Sequence, residues 1–194
     1  MNKIMLKNLI RIKILLQTYG IILVLSCAAF AQERTWKTFS PETGAWSIFA
    51  PGIMQHDPNA LETLGKKGGY SYTDSTGFFA VVYEDSPKWQ VALYKPFINS
   101  HYKKIRNSFV KSSKGELLKD EKFKNGDQTG REFLVKIPDG RILDSEGQLK
   151  SRYRVGRFRI FFHRNRCYML LAVLPENEVN TFAIDNYFNS FVAK

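Results

Sequence analysis

Residues 149–175, LKSRYRVGRFRIFFHRNRCYMLLAVLP, constrain the fold more than any other stretch of the chain. The segment 167–174 is the longest apolar run outside the N-terminus, and its short length and β-branched content predict a buried strand. Residues 149–163 alternate cationic with apolar side chains, which is typical of a half-buried strand. Because the polar residues 163–166 separate the two runs, the pattern predicts an antiparallel hairpin at the centre of a sheet.

The alternation in the first of these strands changes phase at Gly156. Val155 belongs to the apolar set before it, whereas Phe158 and Ile160 belong to the apolar set after it. A shift of one residue in a half-buried strand turns its apolar side chains toward water. A β-bulge restores the phase, and glycine is a common bulge residue. The sequence therefore predicts a bulge at residues 155–157.

The first 31 residues have the layout of a bacterial-type secretory signal peptide. A basic region without acidic residues precedes a short apolar stretch, and small residues stand at the cleavage positions Ala29 and Ala31. The apolar stretch of about 11 residues is shorter than the roughly 20 that span a bilayer. We predict export to the periplasm or the medium, with cleavage before Gln32 and no transmembrane span afterwards. Lipoprotein processing at Cys27 is the alternative, because residues 24–27 loosely resemble a lipobox.

The remaining residues, 32–194, are predicted to form a single domain. The chain is 44% hydrophobic and 24% charged, which is ordinary for a globular protein with one core. Cys167 is the only cysteine of this part, so no intramolecular disulfide can form in it. Its position in an apolar run predicts a buried, unreactive thiol.

Turn signals and apolar spacing divide this domain into hairpins and two helices. Turns rich in Gly, Pro, Asn and Ser at residues 40–44, 75–77 and 125–126 predict three hairpins. Residues 138–149 are polar and predict an exposed loop between strands. Residues 97–113 predict a helix that buries a stripe of four residues, Ile98, Tyr102, Ile105 and Phe109.

A second helix is predicted at residues 178–191, with Asn177 as its cap. Its predicted buried residues are Val179, Phe182, Ala183, Tyr187 and Phe191. Hairpins with one central and one C-terminal helix predict an α+β fold, an antiparallel β-sheet with flanking helices.

Four short motifs, in matching order, resemble those of PsbP-like domains. They are the aromatic strands and turn of residues 36–52, Gly130-Arg131-Glu132-Phe133, Arg166-Cys167-Tyr168-Met169-Leu170 and Tyr187-Phe188-Asn189-Ser190-Phe191. The resemblance implies an α/β/α sandwich around an antiparallel sheet. It implies no single function, because the relatives include a photosystem protein, a Ran-binding import factor and bacterial envelope lipoproteins. The metal-related residues of the photosystem protein have no match in this chain.

Residues that could carry catalysis or bind a metal are sparse. The three histidines are His56, His101 and His163. Only Asp57, beside His56, offers one of them a second ligand at metal spacing. There is no nucleophile elbow, and Cys167 has no evident base. Arg131 and Glu132 on one strand predict structural ion pairs rather than acid–base catalysis. We therefore predict no enzyme activity, no metal and no cofactor.

The strongest chemical signal is positive charge. The chain has a formal net charge of +11, and no acidic residue lies between Glu146 and Glu176. The cations in that interval are Lys150, Arg152, Arg154, Arg157, Arg159, Arg164 and Arg166, and Lys103, Lys104 and Arg106 add to their field. This pattern predicts a cationic face for an anionic envelope partner, which could be lipid head groups, wall polymer or an acidic protein. The alternative is a solvated sheet face that keeps the protein soluble.

These observations favour an exported, non-catalytic binding or assembly module of the envelope, whose partner is not expected to be nucleic acid. A hydrolase acting on an anionic envelope substrate is the alternative. It would require a pocket with converging carboxylates or a metal.

Overall fold

The computed structural model describes residues 34–58, 69–86, 95–143 and 148–194, which form ten β-strands and two α-helices. A short 3-10 turn, Lys95–Phe97, precedes the first helix. In chain order the elements are β1 (Lys37–Phe39), β2 (Trp46–Ala50), β3 (Gln55–His56), β4 (Gly69–Thr73), β5 (Phe78–Asp85), α1 (Ile98–Ser112), β6 (Glu116–Asn125), β7 (Gln128–Leu143), β8 (Leu149–His163), β9 (Arg166–Leu174), α2 (Phe182–Asn189) and β10 (Val192–Ala193).

Seven of the described strands form one antiparallel sheet in the order β3-β4-β5-β9-β8-β7-β6. A smaller sheet has the order β1-β2-β10. The β8–β9 hairpin lies in the middle of the large sheet, as predicted, and turns at Arg164 and Asn165. Thr35–Lys194 forms one compact unit. The prediction of an α+β fold built on an antiparallel sheet is confirmed.

Both faces of the large sheet are covered. On one face, α1 packs its buried residues Tyr102, Ile105 and Phe109 against the sheet. The ring centroids of Phe109 and Phe158 are 4.0 Å apart. On the other face, α2 and the small sheet contribute a second buried cluster that includes Trp46, Ile48, Ile184, Tyr187, Phe188 and Phe191. A helix therefore covers each face of the large sheet, and the protein has two hydrophobic cores, one on each side of the sheet.

The three predicted hairpins are present, as β1–β2, β4–β5 and β6–β7. Gly44 and Gly126 in two of their turns have φ of +63° and +58°, a backbone conformation that glycine adopts without a steric penalty. The predicted first helix and its buried stripe are also confirmed, with Ile98 only partly buried. Cys167 is buried in β9, as expected.

The predicted bulge at residues 155–157 is wrong. β8 keeps a continuous register with both β7 and β9 through this segment. A phase change requires no bulge here, because both faces of β8 are covered and either set of side chains can be buried. Gly156 is needed for a different reason: a Cβ at this position would lie 2.6 Å from Cε2 of Phe158.

The predicted loop at residues 138–149 is largely strand. β7 continues to Leu143 and pairs with the start of β8, after a register shift between Pro138 and Arg141. Within the described residues, neither β6 nor β9 pairs with this extension, so it projects from the sheet as a two-stranded arm. We call residues 138–143 and 149–154 the arm. Residues 141–143 and 149–153 of the arm are exposed, as predicted for the loop.

The second helix is shorter than predicted. It begins at Phe182, with Thr181 rather than Asn177 as the N-terminal flanking residue, and residues 176–180 form turns. Phe182 is 85% exposed, contrary to the prediction, because at 3.6 residues per turn it lies about 140° around the helix from the buried Tyr187. The buried helical residues are Ile184, Tyr187 and Phe188, and Val179 and Phe191 are buried outside the helix.

The predicted signal peptide, with Cys27 and the cleavage site before Gln32, lies outside the described residues. In the part of the chain that is described, no helix is both long enough and apolar enough to cross a membrane.

Candidate functional site: cationic clusters of the sheet and its first helix

The structure divides the seven cations of residues 149–166 by burial. Arg157 and Arg159 have only 8% and 5% of their surfaces exposed, so a partner cannot reach them. Both guanidinium groups lie against α2, on the sheet face that this helix covers. The prediction that these two arginines belong to an exposed cationic face is therefore wrong.

Glu132 binds both buried guanidinium groups. Arg157 donates from Nε to Oε1 at 3.1 Å, and Arg159 donates from Nε to Oε2 at 2.9 Å. Arg157 Nη1 also donates to Oδ1 of Asp185 at 2.6 Å. Arg159 Nη1 donates to the carbonyl oxygen of Phe188 at 2.9 Å. Burial lowers the pKa of Arg159, and the charge of Glu132 opposes that shift. These bonds attach α2 to the sheet, which confirms the structural role predicted for Glu132.

Two further cations lie at the turn end of the hairpin. Arg166 forms a bidentate pair with Asp85, with Nε–Oδ1 and Nη2–Oδ2 distances of 2.5 Å and 2.8 Å. These hydrogen bonds lower the pKa of the Asp85 carboxyl. Arg164 occupies the turn with φ of +55°, and its side chain is exposed. Arg166 is thus neutralised locally, whereas Arg164 is accessible.

The arm carries the remaining three cations of the hairpin. These are Lys150, Arg152 and Arg154. They occupy alternate positions of β8, and the same alternation continues to Phe158 under α1. Asp139 accepts from Nε of Arg152 at 2.9 Å and from Nε of Arg154 at 3.0 Å. The arm cations therefore lie on the α1 side of the sheet, and two of them share one carboxylate.

A second cationic group surrounds α1 and was only partly visible in the sequence pattern. The segment 86–115 contains no acidic residue but seven cations, as many as residues 147–175. On α1 and the turn after it, four lysines are exposed: Lys103, Lys104, Lys111 and Lys114. We call these four lysines the basic face. An acid-free interval of this length is the signal that would have marked it.

A groove lies beside the basic face, where α1 meets β6 and β7. One lobe has a volume of about 430 Å³ and is lined by Asn99, Ser100, Tyr102, Lys103, Arg106, Asp120, Lys122, Arg131 and Phe133. A second lobe of about 440 Å³ is lined by Ile98, Asn99, Tyr102, Lys122, Phe123, Lys124, Thr129 and Gly130. Because Asn99, Tyr102 and Lys122 line both lobes, the two form one continuous groove.

Asp120 organises the cations of the first lobe. Arg131 donates to its Oδ1 from Nε at 2.9 Å and from Nη2 at 2.6 Å. Arg106 pairs with the other oxygen, Oδ2, through Nη1. All three side chains are mostly buried, so the two guanidinium groups are held in place around a single negative charge. With Lys103 and Lys122 added, the lobe has four cations and one carboxylate.

Groups suited to metal binding do not come together in the described residues. No three His, Cys, Asp or Glu side chains there lie close enough to hold a metal ion. His56, His101 and His163 belong to β3, α1 and β8, and the first two pack against the rings of Tyr70 and Phe162.

The described strands and helices have the PsbP-like fold that the sequence motifs implied. The solution structure of the cyanobacterial PsbP protein (CyanoP) from Synechocystis sp. PCC 6803 is similar, with a TM-score of 0.56 and 11% sequence identity. The similarity covers 84% of this chain and 95% of the cyanobacterial protein. At this identity it shows the fold alone.

A crystal structure of a protein from Bacteroides thetaiotaomicron also matches, with a TM-score of 0.47 and 13% identity. The match covers 81% of this chain and 48% of that protein, so the chain spans about half of its length. No model of a known protein family matches the chain, and no curated protein matches it.

Proposed function

We propose that this protein is an exported, non-catalytic binding module that engages an anionic partner of the envelope through the α1 side of its sheet. The single observation that carries the proposal is the basic face. Its four lysines are exposed on a helix and turn that contain no acidic residue. Lys150, Arg152 and Arg154 of the arm lie on the same side of the sheet, which extends the positive field.

The partner surface differs from the one that the sequence favoured. Two of the seven hairpin cations are buried, and Arg166 is paired with Asp85. The cations at the α1 side are instead mostly solvated and can meet a negatively charged surface. A cation near an anionic membrane surface contributes on the order of 1 kcal/mol of attraction, which salt screens.

The hydrolase alternative receives no support from the groove. Its first lobe has one carboxylate, Asp120, and that carboxylate is bonded to both Arg106 and Arg131. General acid–base catalysis of hydrolysis requires a group that can exchange a proton near the operating pH. The Asp120 carboxylate is already occupied by two guanidinium groups, so it suits the positioning of cations better than proton transfer to a substrate.

The test is binding to anionic vesicles and to wall fragments at low and physiological salt. The variant Lys104→Gln/Lys111→Gln/Lys114→Gln removes three charges from the basic face and leaves the groove lining intact. At about 1 kcal/mol per charge, binding should weaken roughly a hundredfold at low salt.

The matched control is Lys37→Gln/Lys119→Gln/Lys194→Gln. It removes the same charge from three exposed lysines outside α1. Lys37 and Lys194 lie at the small sheet, and Lys119 lines a pocket together with Glu132 and Arg157. This control should bind like the parent. Equal losses in both triple variants would show that only net charge matters, and the proposal would fail.

A further inference from the structure

The groove between α1 and β6–β7 has the size of a small-molecule site. Its two lobes have volumes of about 430 and 440 Å³, within the range of roughly 300–1,000 Å³ that is usual for ligand pockets. It is open to solvent along the side of α1, where Lys103 and Lys122 are exposed. A ligand could therefore enter without a rearrangement of the sheet or of the helix.

The first lobe is prepared for an oxyanion. Asp120 binds the guanidinium groups of Arg106 and Arg131, and Oδ1 of Asn107 accepts from Nε and Nη2 of Arg106. Asp120 binds Arg131 through Nε and Nη2 only, so Nη1 of Arg131 is not used in this pairing. Guanidinium groups bind carboxylate and phosphate oxygens in a planar, often bidentate geometry. Lys103 and Lys122 add two flexible ammonium groups at the rim. The cluster remains positive after Asp120 is counted, so it attracts an anion.

The remainder of the groove is suited to an apolar or aromatic group. Tyr102 and Phe133 line the first lobe, and both are nearly fully buried. Ile98, Phe123 and Gly130 line the second lobe. The Phe123 ring itself packs against Phe161 and Arg159 on the α2 side of the sheet. Ile98 and Tyr102 therefore supply the apolar side chains of this lobe. A Cβ at Gly130 would collide with the carbonyl oxygen of Ile160, so glycine is required there by the strand pairing. A ligand with a charged end and an apolar body would match both lobes.

From this juxtaposition we propose that the groove binds a small organic oxyanion, a phosphomonoester or a carboxylate attached to an apolar or aromatic body. The two guanidinium groups and two lysines of the first lobe hold the oxyanion, and the second lobe holds the body. The groove and the basic face share Lys103, but they can be tested separately, because Lys104, Lys111 and Lys114 do not line the groove.

Calorimetric titration of the full domain with three probes tests the site: phenyl phosphate, inorganic phosphate and benzoate. Phenyl phosphate should bind saturably at one site, and at least tenfold more tightly than inorganic phosphate, because it also fills the apolar part. Benzoate distinguishes a carboxylate ligand from a phosphate ester. Tighter binding of benzoate than of phenyl phosphate would assign a carboxylate ligand, and the reverse would assign a phosphate ester. Failure of both organic probes to bind the parent protein would overturn the proposal.

The variants are a matched pair on neighbouring residues. Lys103 and Lys104 are both exposed on α1, but only Lys103 lines the groove. Lys103→Gln should weaken phenyl phosphate binding at least fivefold, whereas Lys104→Gln, which removes the same charge, should change it less than twofold. Thermal melts of both variants should match the parent, since these lysines are solvated. Equal weakening by Lys104→Gln would show general charge attraction and would refute a site in the groove.

Discussion

Glu132 and Arg159 lie opposite each other on β7 and β8, and Oε2 of the glutamate is 2.7 Å from Nη2 of the arginine. The pair is inside the protein, between the sheet and α2. The same carboxylate also binds Arg157, so one buried negative charge fixes two strands and a helix. What the sequence presents as a basic strand is, at these positions, part of the core.

Replacement of Arg159 is therefore expected to destabilise the fold. Arg159→Gln leaves Glu132 with one partner and removes the hydrogen bond to Phe188, and loss of one member of a buried pair costs about 3–5 kcal/mol. Arg152→Gln, on the solvated arm, should change the free energy of unfolding by less than about 0.5 kcal/mol. Urea unfolding of the two variants measures the difference. Similar small effects at both positions would mean that the buried pair contributes little.

Gly156→Ala should destabilise the protein by about 1–3 kcal/mol, the usual cost of overpacking. The added Cβ would lie 2.6 Å from Cε2 of Phe158 and 3.1 Å from Cδ1 of Ile137. A smaller side chain at residue 158 should relieve the contact. The double variant Gly156→Ala/Phe158→Leu should accordingly be more stable than the sum of the two single effects, as a double-mutant cycle of unfolding energies can show. Simple additivity would rule out this contact as the reason for the glycine.

Removal of one buried aromatic ring from either core should destabilise the protein. Phe109→Ala in α1 and Phe191→Ala beside the small sheet should each cost about 3–5 kcal/mol, because both rings are buried. Phe182→Ala is the control, since that ring is 85% exposed and should contribute almost nothing. Thermal melts of the three variants give the comparison. If Phe182→Ala lowered the melting temperature as much as Phe191→Ala, the assignment of the buried stripe in α2 would be wrong.

The free energy of unfolding should decrease at alkaline pH, because the Tyr187 phenol is buried. Burial raises the pKa of this phenol above its ordinary value of 10.0, and its hydroxyl donates to the carbonyl oxygen of Ala80 at 2.9 Å. Above pH 10 the unfolded chain releases the proton while the folded protein retains it, so the free energy of unfolding decreases as pH rises. The contribution is about 1.4 kcal/mol per pH unit.

Tyr187→Phe isolates this effect. The variant should lose about 1 kcal/mol at neutral pH with its hydrogen bond, and its stability should then decrease less steeply above pH 10 than that of the parent. Urea unfolding between pH 8 and 11 provides the two slopes. Tyr102 and Tyr168, whose pKa values are also raised by burial, remain in both proteins and cancel in the comparison. Parallel slopes would show that Tyr187 does not retain its proton.

The sequence predicted the parts of the fold that local patterns determine. Turn residues such as Gly44 and Gly126 fix the hairpins, because their backbone conformation depends on adjacent residues only. The phase change in β8 led to the wrong prediction of a bulge, because the alternation was interpreted as that of a strand with one face exposed to solvent. Whether this face of β8 is exposed to solvent depends on α2 and β2, which cover it and lie far away in the sequence.

The candidate site depends even more on distant residues. The burial of Arg157 requires Glu132 and Asp185, each at least 25 positions away along the chain. A run of cations in the sequence indicates positive charge, but it does not indicate how deeply each side chain is buried. The groove combines Arg106, Asp120 and Arg131 from three elements, and no motif links their positions. Only the lack of acids in residues 86–115 marked that side of the protein.

The closure of β2 by β10 also has a consequence for the order in which the chain is made. Ser47 and Trp46 pair with Val192 and Ala193, and the Phe49 amide donates to Oγ of Ser190, 141 positions further along. A nascent chain therefore holds an early strand whose second edge stays open until the last described residues emerge. A chain halted before residue 190 would leave the second edge of the Trp46 strand accessible to proteases, and the small sheet would form only after Val192 and Ala193 have been made.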